Sequence, residues 1–496
     1  MHDMLSYIWT TVLLVVALST LRVSSMRPGG LLSEAVRRDQ VTRVMLPSGP
    51  SQGLEERAAP FRFYKNNTKK YLVESLPEMD FDLGELYSGV VPIDMNNASR
   101  GLFFVFQPRV GEPVDEITIW LNGGPGCSSL EGFLQENGKF QWAWGQFSPT
   151  INKVEYPVGV GFSIGESRAR TEEGIAEEFN DFFFNFQKIF AISKFKIYVT
   201  GESYAGRYVP YIASGMLDRN DSNHFNLSGA LTYNPTIGEF GWVQTQAVIY
   251  PLIEKYNNVL GYNSSFMAKL ASIDQTCGYV DYRDTHVDKF PPSQVQPPKY
   301  FNSTVDADCD IWHAAYFAAY GANPCFNPYL ITLQCPLQGD PLGFPSDLIY
   351  SYPNTPVYFD REDVKKAMHA PVDREWSLCN GNPFVEGQGG PQNLGDMSAD
   401  PIQRVLPRVI EATRRVLVAN SDLDFETPTT GTLLAIQNMT WGGLLGFQNK
   451  PVKPITITEP DLQYEAIFAS SGFDDVDDPQ GTMGVQHFER GLMWAE

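Results

Sequence analysis

The chain has 496 residues and a formal charge of −21; hydrophobic residues make up 43% of it and aromatic residues 13%. No Lys/Arg-rich stretch offsets that charge, which excludes nucleic acid as a natural partner. The apolar content excludes wholesale disorder, and the length allows one large domain with an insertion.

Residues 1–25 are predicted to be a signal peptide. The apolar run 8–21, with Leu13, Leu14, Val15, Val16 and Leu18, ends in small residues at Ser24 and Ser25. It is shorter than the about 20 apolar residues of a membrane span, so no stable span is expected, with an uncleaved anchor as the alternative. Six cysteines, none in a C-x-x-C pair, point to disulfides rather than zinc. N-x-S/T sequons at Asn66, Asn97, Asn220, Asn226, Asn263, Asn302 and Asn438 agree with a secreted or vacuolar protein.

Residues 26–60 are polar and aperiodic, and read as a pro-segment or linker. From 61 to 235 strand-like and helix-like runs alternate, as in the first part of an α/β core. Residues 102–106 and 117–121 are short apolar strands. The run 172–190 repeats Ile175, Phe179, Phe182, Phe183, Phe186 and Phe190 at helical spacing, which predicts one apolar face for core packing. Residues 195–200 form a strand leading into the central motif. Residues 236–385 break the alternation with clustered prolines and with Cys277, Cys309, Cys325 and Cys335, and read as a disulfide-clipped cap. The second part of the core, 386–496, resumes with a strand at 416–419.

Gly201-Glu202-Ser203-Tyr204-Ala205-Gly206 has the form G-x-S-x-G between a strand and a helix. Small glycines let the chain turn sharply enough to present the Ser203 hydroxyl at the strand's end. The helix N-terminus then offers backbone N–H groups to a developing oxyanion. A second glycine-rich loop, residues 120–129 (WLNGGPGCSS), follows the 117–121 strand and makes the Gly124 N–H a candidate second donor. Removing such a donor costs on the order of 3–4 kcal/mol. A phosphate loop is excluded because no Gly-Lys-Ser/Thr follows.

WLNGGPGCSS, PVGVGFS (157–163) and GESYAGRYVP (201–210) resemble the signature blocks of the serine carboxypeptidases. The resemblance runs from about residue 61 to the end. It implies an α/β-hydrolase fold, with a mostly parallel central sheet and a cap, that removes single residues from peptide and protein C-termini at acidic pH. No cofactor or metal is implied. By the same resemblance Ser203 is the nucleophile, and Gly124 and Tyr204 give the oxyanion N–H groups. Trp120, Asn122, Glu136 and Glu202 bind the substrate's terminal carboxylate, which requires the glutamates to hold protons. Residues 416–424 end a strand with two aspartates. The similar family pattern makes Asp424 the residue that orients the histidine, with Asp422 in reserve. The family's arrangement also implies a Cys127–Cys379 disulfide, with the other four cysteines pairing inside the cap.

Two departures stand out. Chain order in hydrolases is Ser, acid, His, which leaves only His487 downstream of Asp424. The family carries its histidine after the last strand, and here the expected last strand, 491–495, follows His487. The reading is therefore that the base is absent from these 496 residues, with His487 as the alternative if 464–469 is the last strand instead. The second departure lies at 150–156, where the chain is shorter than the family pattern by about a strand and its turn. A non-catalytic binder of peptide C-termini and an acyltransferase on the same fold are the competing functions. No His is followed by an H-x-x-E ligand pair, which disfavours a zinc carboxypeptidase.

Overall fold

The computed structural model describes residues 61–496 except 110, 143–145, 147, 152–161, 166–167, 288, 337–338, 344–356, 380–382, 385–394 and 457–481. The predicted signal peptide and pro-segment lie outside the described residues. The chain divides into two units, 1–66 and 67–496. In the first, residues 61–66 form a turn in which the Tyr64 N–H reaches the Phe61 carbonyl at 3.4 Å.

The second unit opens with a hairpin of β1 (Tyr87–Asp94) and β2 (Asn97–Phe106), in register Tyr87↔Phe106 to Val91↔Leu102. Strand alternation gives β2 two apolar faces. Phe103 and Val105 enter a core with Leu130, Phe133 and Trp376. Phe104 and Phe106 turn to the other side, where their rings meet Phe186 and Phe190 of α1 (Glu172–Phe190) at 5.2–5.6 Å. The phenylalanine stripe is core packing, as its spacing predicts. Thr171 caps α1, its Oγ1 accepting the Gly174 N–H at 3.3 Å.

Among the described residues a seven-stranded sheet carries the unit, in the order 453–456, 482–489, 492–495, 416–419, 227–233, 196–202, 116–121, and β9 (Thr440–Trp441) pairs apart from it with β10 (Leu444–Leu445). Strands β3 (Glu116–Leu121), β6 (Lys196–Glu202), β7 (Leu227–Tyr233), β8 (Val416–Ala419) and β13 (Leu492–Ala495) are parallel. β12 (Thr482–Glu489) and β11 (Lys453–Thr456) extend it antiparallel. Crossover helices cover it, among them α1 and α2 (Ala205–Asp218). This is the mostly parallel α/β architecture expected, and its last strand follows His487. β3 is the terminal strand among the described residues, and the β1–β2 hairpin forms its own sheet. The shortened stretch 152–156 lies outside the described residues. What precedes it is a small pair, β4 (Phe140–Gln141) with β5 (Thr150–Ile151).

Residues 242–331 gather into a second core, which also takes in Phe425 and Leu434. Helices α3 (Ala247–Lys255), α4 (Ser264–Thr276), α5 (Tyr279–His286) and α6 (Ile311–Ala322) bury Ile253, Leu270, Tyr279 and Ile311 together. Cys277–Cys309 and Cys325–Cys335 clip it. It docks beside Asp424: the Trp312 Nε1 donates to the Phe425 carbonyl at 3.1 Å, and the Phe425 N–H to the Pro328 carbonyl at 2.6 Å. Tyr358, Phe359 and Trp376 pack into the β1–β2 core instead. Among the described residues no helix is long and apolar enough to cross a membrane.

One core group is charged by type. Glu172, in the first turn of α1, is 0% exposed, and neither carboxyl oxygen has a hydrogen-bond partner among the described residues. Burial, then Asp396, holds its pKa well above the usual carboxylate range, against the opposing Arg207. The folded state therefore keeps this proton while the unfolded chain releases it near pH 4. Stability from the protonated form is complete below that pH and is lost as pH climbs toward the folded pKa. Glu172→Gln is expected to leave the melting temperature unchanged near pH 4 and to raise it at pH 7, by differential scanning calorimetry. Phe190→Ala, which empties a fully buried ring site shared with Tyr71, Tyr87, Phe104, Phe106 and Phe186, is expected to cost about 3–5 kcal/mol in urea unfolding.

Candidate active site

The parallel strands deliver their C-terminal ends to one place. β6 ends at Glu202, Ser203 follows with φ 56°, and α2 begins at Ala205. A non-glycine residue in that region costs on the order of 1–2 kcal/mol, so the turn must be held. The Ser203 N–H donates to the Tyr233 carbonyl at 2.9 Å, and the Ser203 carbonyl accepts the Gly206 and Thr236 N–H groups at 2.9 and 3.0 Å. Only glycine fits at 201, because a Cβ there would stand 2.4 Å from the Leu121 carbonyl oxygen of β3.

That same closeness brings the second glycine loop onto the serine. β3 runs beside β6 in register Leu121↔Gly201. A Cβ on Gly123 would lie 2.5 Å from the Tyr204 nitrogen and 2.8 Å from the Ser203 Cβ. The backbone at Gly123 therefore lies against Ser203, and Gly124 follows at φ +111° against Gly126 and Cys127. The loop is tied down beyond this point. Cys127 is bonded to Cys379, and the Ser128 N–H donates to the Leu378 carbonyl at 2.7 Å.

Asn122 organises the acidic side of the site. It is 3% exposed; its Oδ1 accepts the Trp120 Nε1 at 2.9 Å and the Gly132 N–H at 3.3 Å. Its Nδ2 faces three carboxyls: Glu202 Oε1 at 2.6 Å, and Glu136 Oε1 and Glu131 Oε2, each at 3.4 Å. Oxygens of all three glutamates lie within 4.8 Å of one another. Removal from water lifts the Glu202 carboxyl to about 7. Burial, followed by the Glu202 and Glu131 charges, holds Glu136 well above the carboxylate range. Glu131 is raised likewise by burial, then by Glu202 and Asp340. Burial thus favours the protonated, hydrogen-bond-donating form of all three carboxyls, a form that can accept a carboxylate beside it.

On the other flank stands Asp424, 2% exposed. Its Oδ1 accepts the Glu426 and Thr427 N–H groups at 2.7 and 2.9 Å, and its Oδ2 the Thr427 hydroxyl at 2.9 Å and the Asn234 amide. Burial still lifts it to about 6. Asp422 turns away to Lys255 and Tyr256. His487 stands apart from both. It lies within β12, opposite Trp494, with Nε2 3.1 Å from Glu489 Oε2 and its ring 4.7 Å from that of Phe447. The two-residue period of the strand puts His487 and Glu489 on one face, so its imidazole meets Glu489 and not Ser203 or Asp424.

Sequence reasoning missed three supports. Asn234 follows β7 as Ser203 follows β6; its Oδ1 accepts the Ser421 N–H at 2.7 Å while its amide holds Asp424. Position at a strand's C-terminal end was the available signal. Behind the elbow, Asp396 Oδ2 accepts the Tyr204 hydroxyl and the Arg207 Nε, both at 2.9 Å. Arg207 also reaches Asp400 at 3.0 Å and the Ser398 carbonyl at 3.1 Å. Such a buried pair fixes geometry more than it adds stability. Glu131 is the third, and the apolar residues around it gave no hint of a carboxyl facing Asn122.

Known proteins resemble this chain in sequence and in fold. The sequence profile described as "Serine carboxypeptidase" matches residues 77–471. "Serine-type carboxypeptidase F" of Aspergillus niger is 55% identical over 448 residues, covering 88% of this chain and 84% of that protein. A "Probable serine carboxypeptidase" of Arthroderma benhamiae is 37% identical over 457 residues, 86% of this chain and 82% of its own length. In fold, the chain is similar to the crystal structure of Kex1(Δ)p, a prohormone-processing carboxypeptidase from Saccharomyces cerevisiae. The TM-score is 0.59 at 22% identity, over 86% of this chain and 91% of that one. The chain belongs to the serine carboxypeptidase family.

Proposed function

We propose that this chain is a serine-type carboxypeptidase that releases single residues from peptide and protein C-termini through an acyl-enzyme, best at acidic pH. The observation that carries this is Asn122, which bonds Glu202 at 2.6 Å with Glu136 at 3.4 Å, one residue along from the glycine loop lying on Ser203. Protonated Glu136 and Glu202, with Asn122 and Trp120, hold the terminal carboxylate, and this fixes which peptide bond meets the nucleophile. The Ser203 Oγ attacks that carbonyl. The N–H groups of Gly124 and Tyr204 stabilise the oxyanion, and the bond to the leaving amine breaks to give the acyl-enzyme, which water then hydrolyses. Above neutrality Glu202 loses its proton, and the site repels the carboxylate it binds in acid.

The proton acceptor of this reading is an imidazole oriented by Asp424. His487 is held by Glu489. The chain leaves β13 beside the Asp424 loop, since the Asn420 N–H meets the Ala495 carbonyl at 2.9 Å. The position of His487 favours a second reading, a binder of peptide C-termini that does not cleave. Disulfides Cys127–Cys379, Cys277–Cys309 and Cys325–Cys335 support passage through the secretory pathway to the exterior or the vacuole. Exposed sequon asparagines 66, 97, 220, 263 and 302 add to that support.

A fluorophosphonate is expected to label Ser203 at pH 5, and a blocked dipeptide to lose its C-terminal residue. Ser203→Ala abolishes labelling and lowers turnover about 10⁴-fold or more. Absence of labelling and release in the parent chain, with peptide binding retained, selects the second reading.

A further inference from the structure

We propose that Asp396 is a positioning residue, which aims the Tyr204 N–H at the oxyanion by holding the Tyr204 side chain. The proposal rests on the reading of that N–H as an oxyanion donor. Such a donor acts by direction, so whatever fixes its peptide plane sets how far it stabilises the transition state. The plane here joins Ser203 to Tyr204 and follows a residue at φ 56°, a conformation that persists only where its surroundings hold it. The carbonyl end of the plane is held by the Gly206 and Thr236 N–H groups. The other end is Tyr204 itself, and its side chain is the handle.

Asp396 grips that handle from a closed set of bonds. Both residues are buried. Asp396 Oδ2 accepts the Tyr204 hydroxyl and the Arg207 Nε, each at 2.9 Å. Its Oδ1 accepts the Ser398 N–H at 2.8 Å and the Ser398 hydroxyl at 2.6 Å. Four donors converge on two oxygens, and an ionised carboxylate is the side chain that offers acceptors alone. The anchor is itself anchored. Arg207 also reaches Asp400 at 3.0 Å and the Ser398 and Ala399 carbonyls at 3.1 and 3.3 Å. The Ser398 hydroxyl accepts the Glu172 N–H of α1 at 2.5 Å. Tyr204, Arg207 and Tyr211 stand at i, i+3 and i+7, on one face of α2, and the Tyr211 hydroxyl donates to the Ala399 carbonyl at 2.7 Å. Residues 396–400 therefore hold two tyrosine hydroxyls of that face. Only the one held by Asp396 belongs to the residue whose N–H serves the oxyanion.

The test compares substitutions in the full chain by turnover of a blocked dipeptide and by the rate of fluorophosphonate labelling at pH 5. Tyr204→Phe keeps the backbone N–H and the ring against Tyr208 and removes only the hydroxyl. Deleting an oxyanion donor outright lowers kcat about 10²–10³-fold, and misaiming one keeps part of its effect. Tyr204→Phe is therefore expected to lower kcat and the labelling rate about tenfold or more. KM and the inhibition constant of an acid-ended, non-hydrolysed peptide stay within about twofold. Asp396→Asn turns an amide N–H₂ toward donors and lowers kcat in the same way. Joined to Tyr204→Phe, it lowers kcat by less than the product of the two single effects. Tyr211→Phe removes the comparable bond two turns further along and leaves kcat unchanged. If Asp396→Asn does not fold, the contrast between the two tyrosine substitutions decides. An unchanged kcat in Tyr204→Phe, an equal loss in Tyr211→Phe, or a loss confined to KM overturns the assignment while the serine-enzyme reading stands. A parent chain that neither labels nor releases its C-terminal residue overturns that reading, and the role of Asp396 falls with it.

Discussion

The hydrogen bond between Asn122 and Glu202, 2.6 Å long, joins the ends of two parallel strands, and the site depends on it. Asn122 follows β3 directly and Glu202 closes β6. Holding them together sets the glycine loop against Ser203 and places the acidic pocket one residue from the nucleophile. The bond also sets the charge state of the pocket. It favours an ionised Glu202, burial opposes it more strongly, and the balance leaves the carboxyl titrating near neutrality. On the proposed function, a site for recognising a carboxylate is thereby assembled from groups that would repel it if all were ionised.

Buried carboxyls with raised pKa values recur through the core. Glu131, Glu136, Glu172, Glu202 and Asp424 are all raised chiefly by burial, and each is more compatible with the fold when it carries its proton. Glu172 is the extreme case, enclosed behind the Tyr204–Asp396–Arg207 network that supports the elbow. On the proposed function, substrate binding and stability therefore respond to pH in the same direction, and both favour acid. The net charge of −21 fits that setting, because protonating surface carboxylates in acid relieves repulsion that would build up at higher pH.

What the sequence revealed was local. The elbow needs a strand, small residues and a helix in immediate succession, and Lys196 to Asp218 supply them in order. The phenylalanine stripe of α1 and the alternation in β2 follow from backbone period alone. What it hid was set by side-chain contacts across long separations. Arg207 and Asp396 meet across 189 residues, and Asn234 meets Asp424 across 190. His487 satisfied chain order relative to Asp424, but strand register decides which face its ring occupies, and that face carries Glu489 and Phe447. Asp422 and Asp424 were separable only by the family pattern; in the fold, burial separates them. Glu131 was passed over because a glutamate beside buried leucine and glycine carries no local sign of facing inward.

The central claim is that a substrate carboxylate is bound by glutamates that carry protons, and it is tested most directly by counting protons. Calorimetric titration with an acid-ended, non-hydrolysed peptide at pH 7, in buffers of different ionisation enthalpy, measures net proton exchange on binding. With Glu202 half ionised there, binding is predicted to take up a fraction of a proton from the buffer, and the uptake to vanish by pH 5. Zero exchange at pH 7, or proton release, would contradict it.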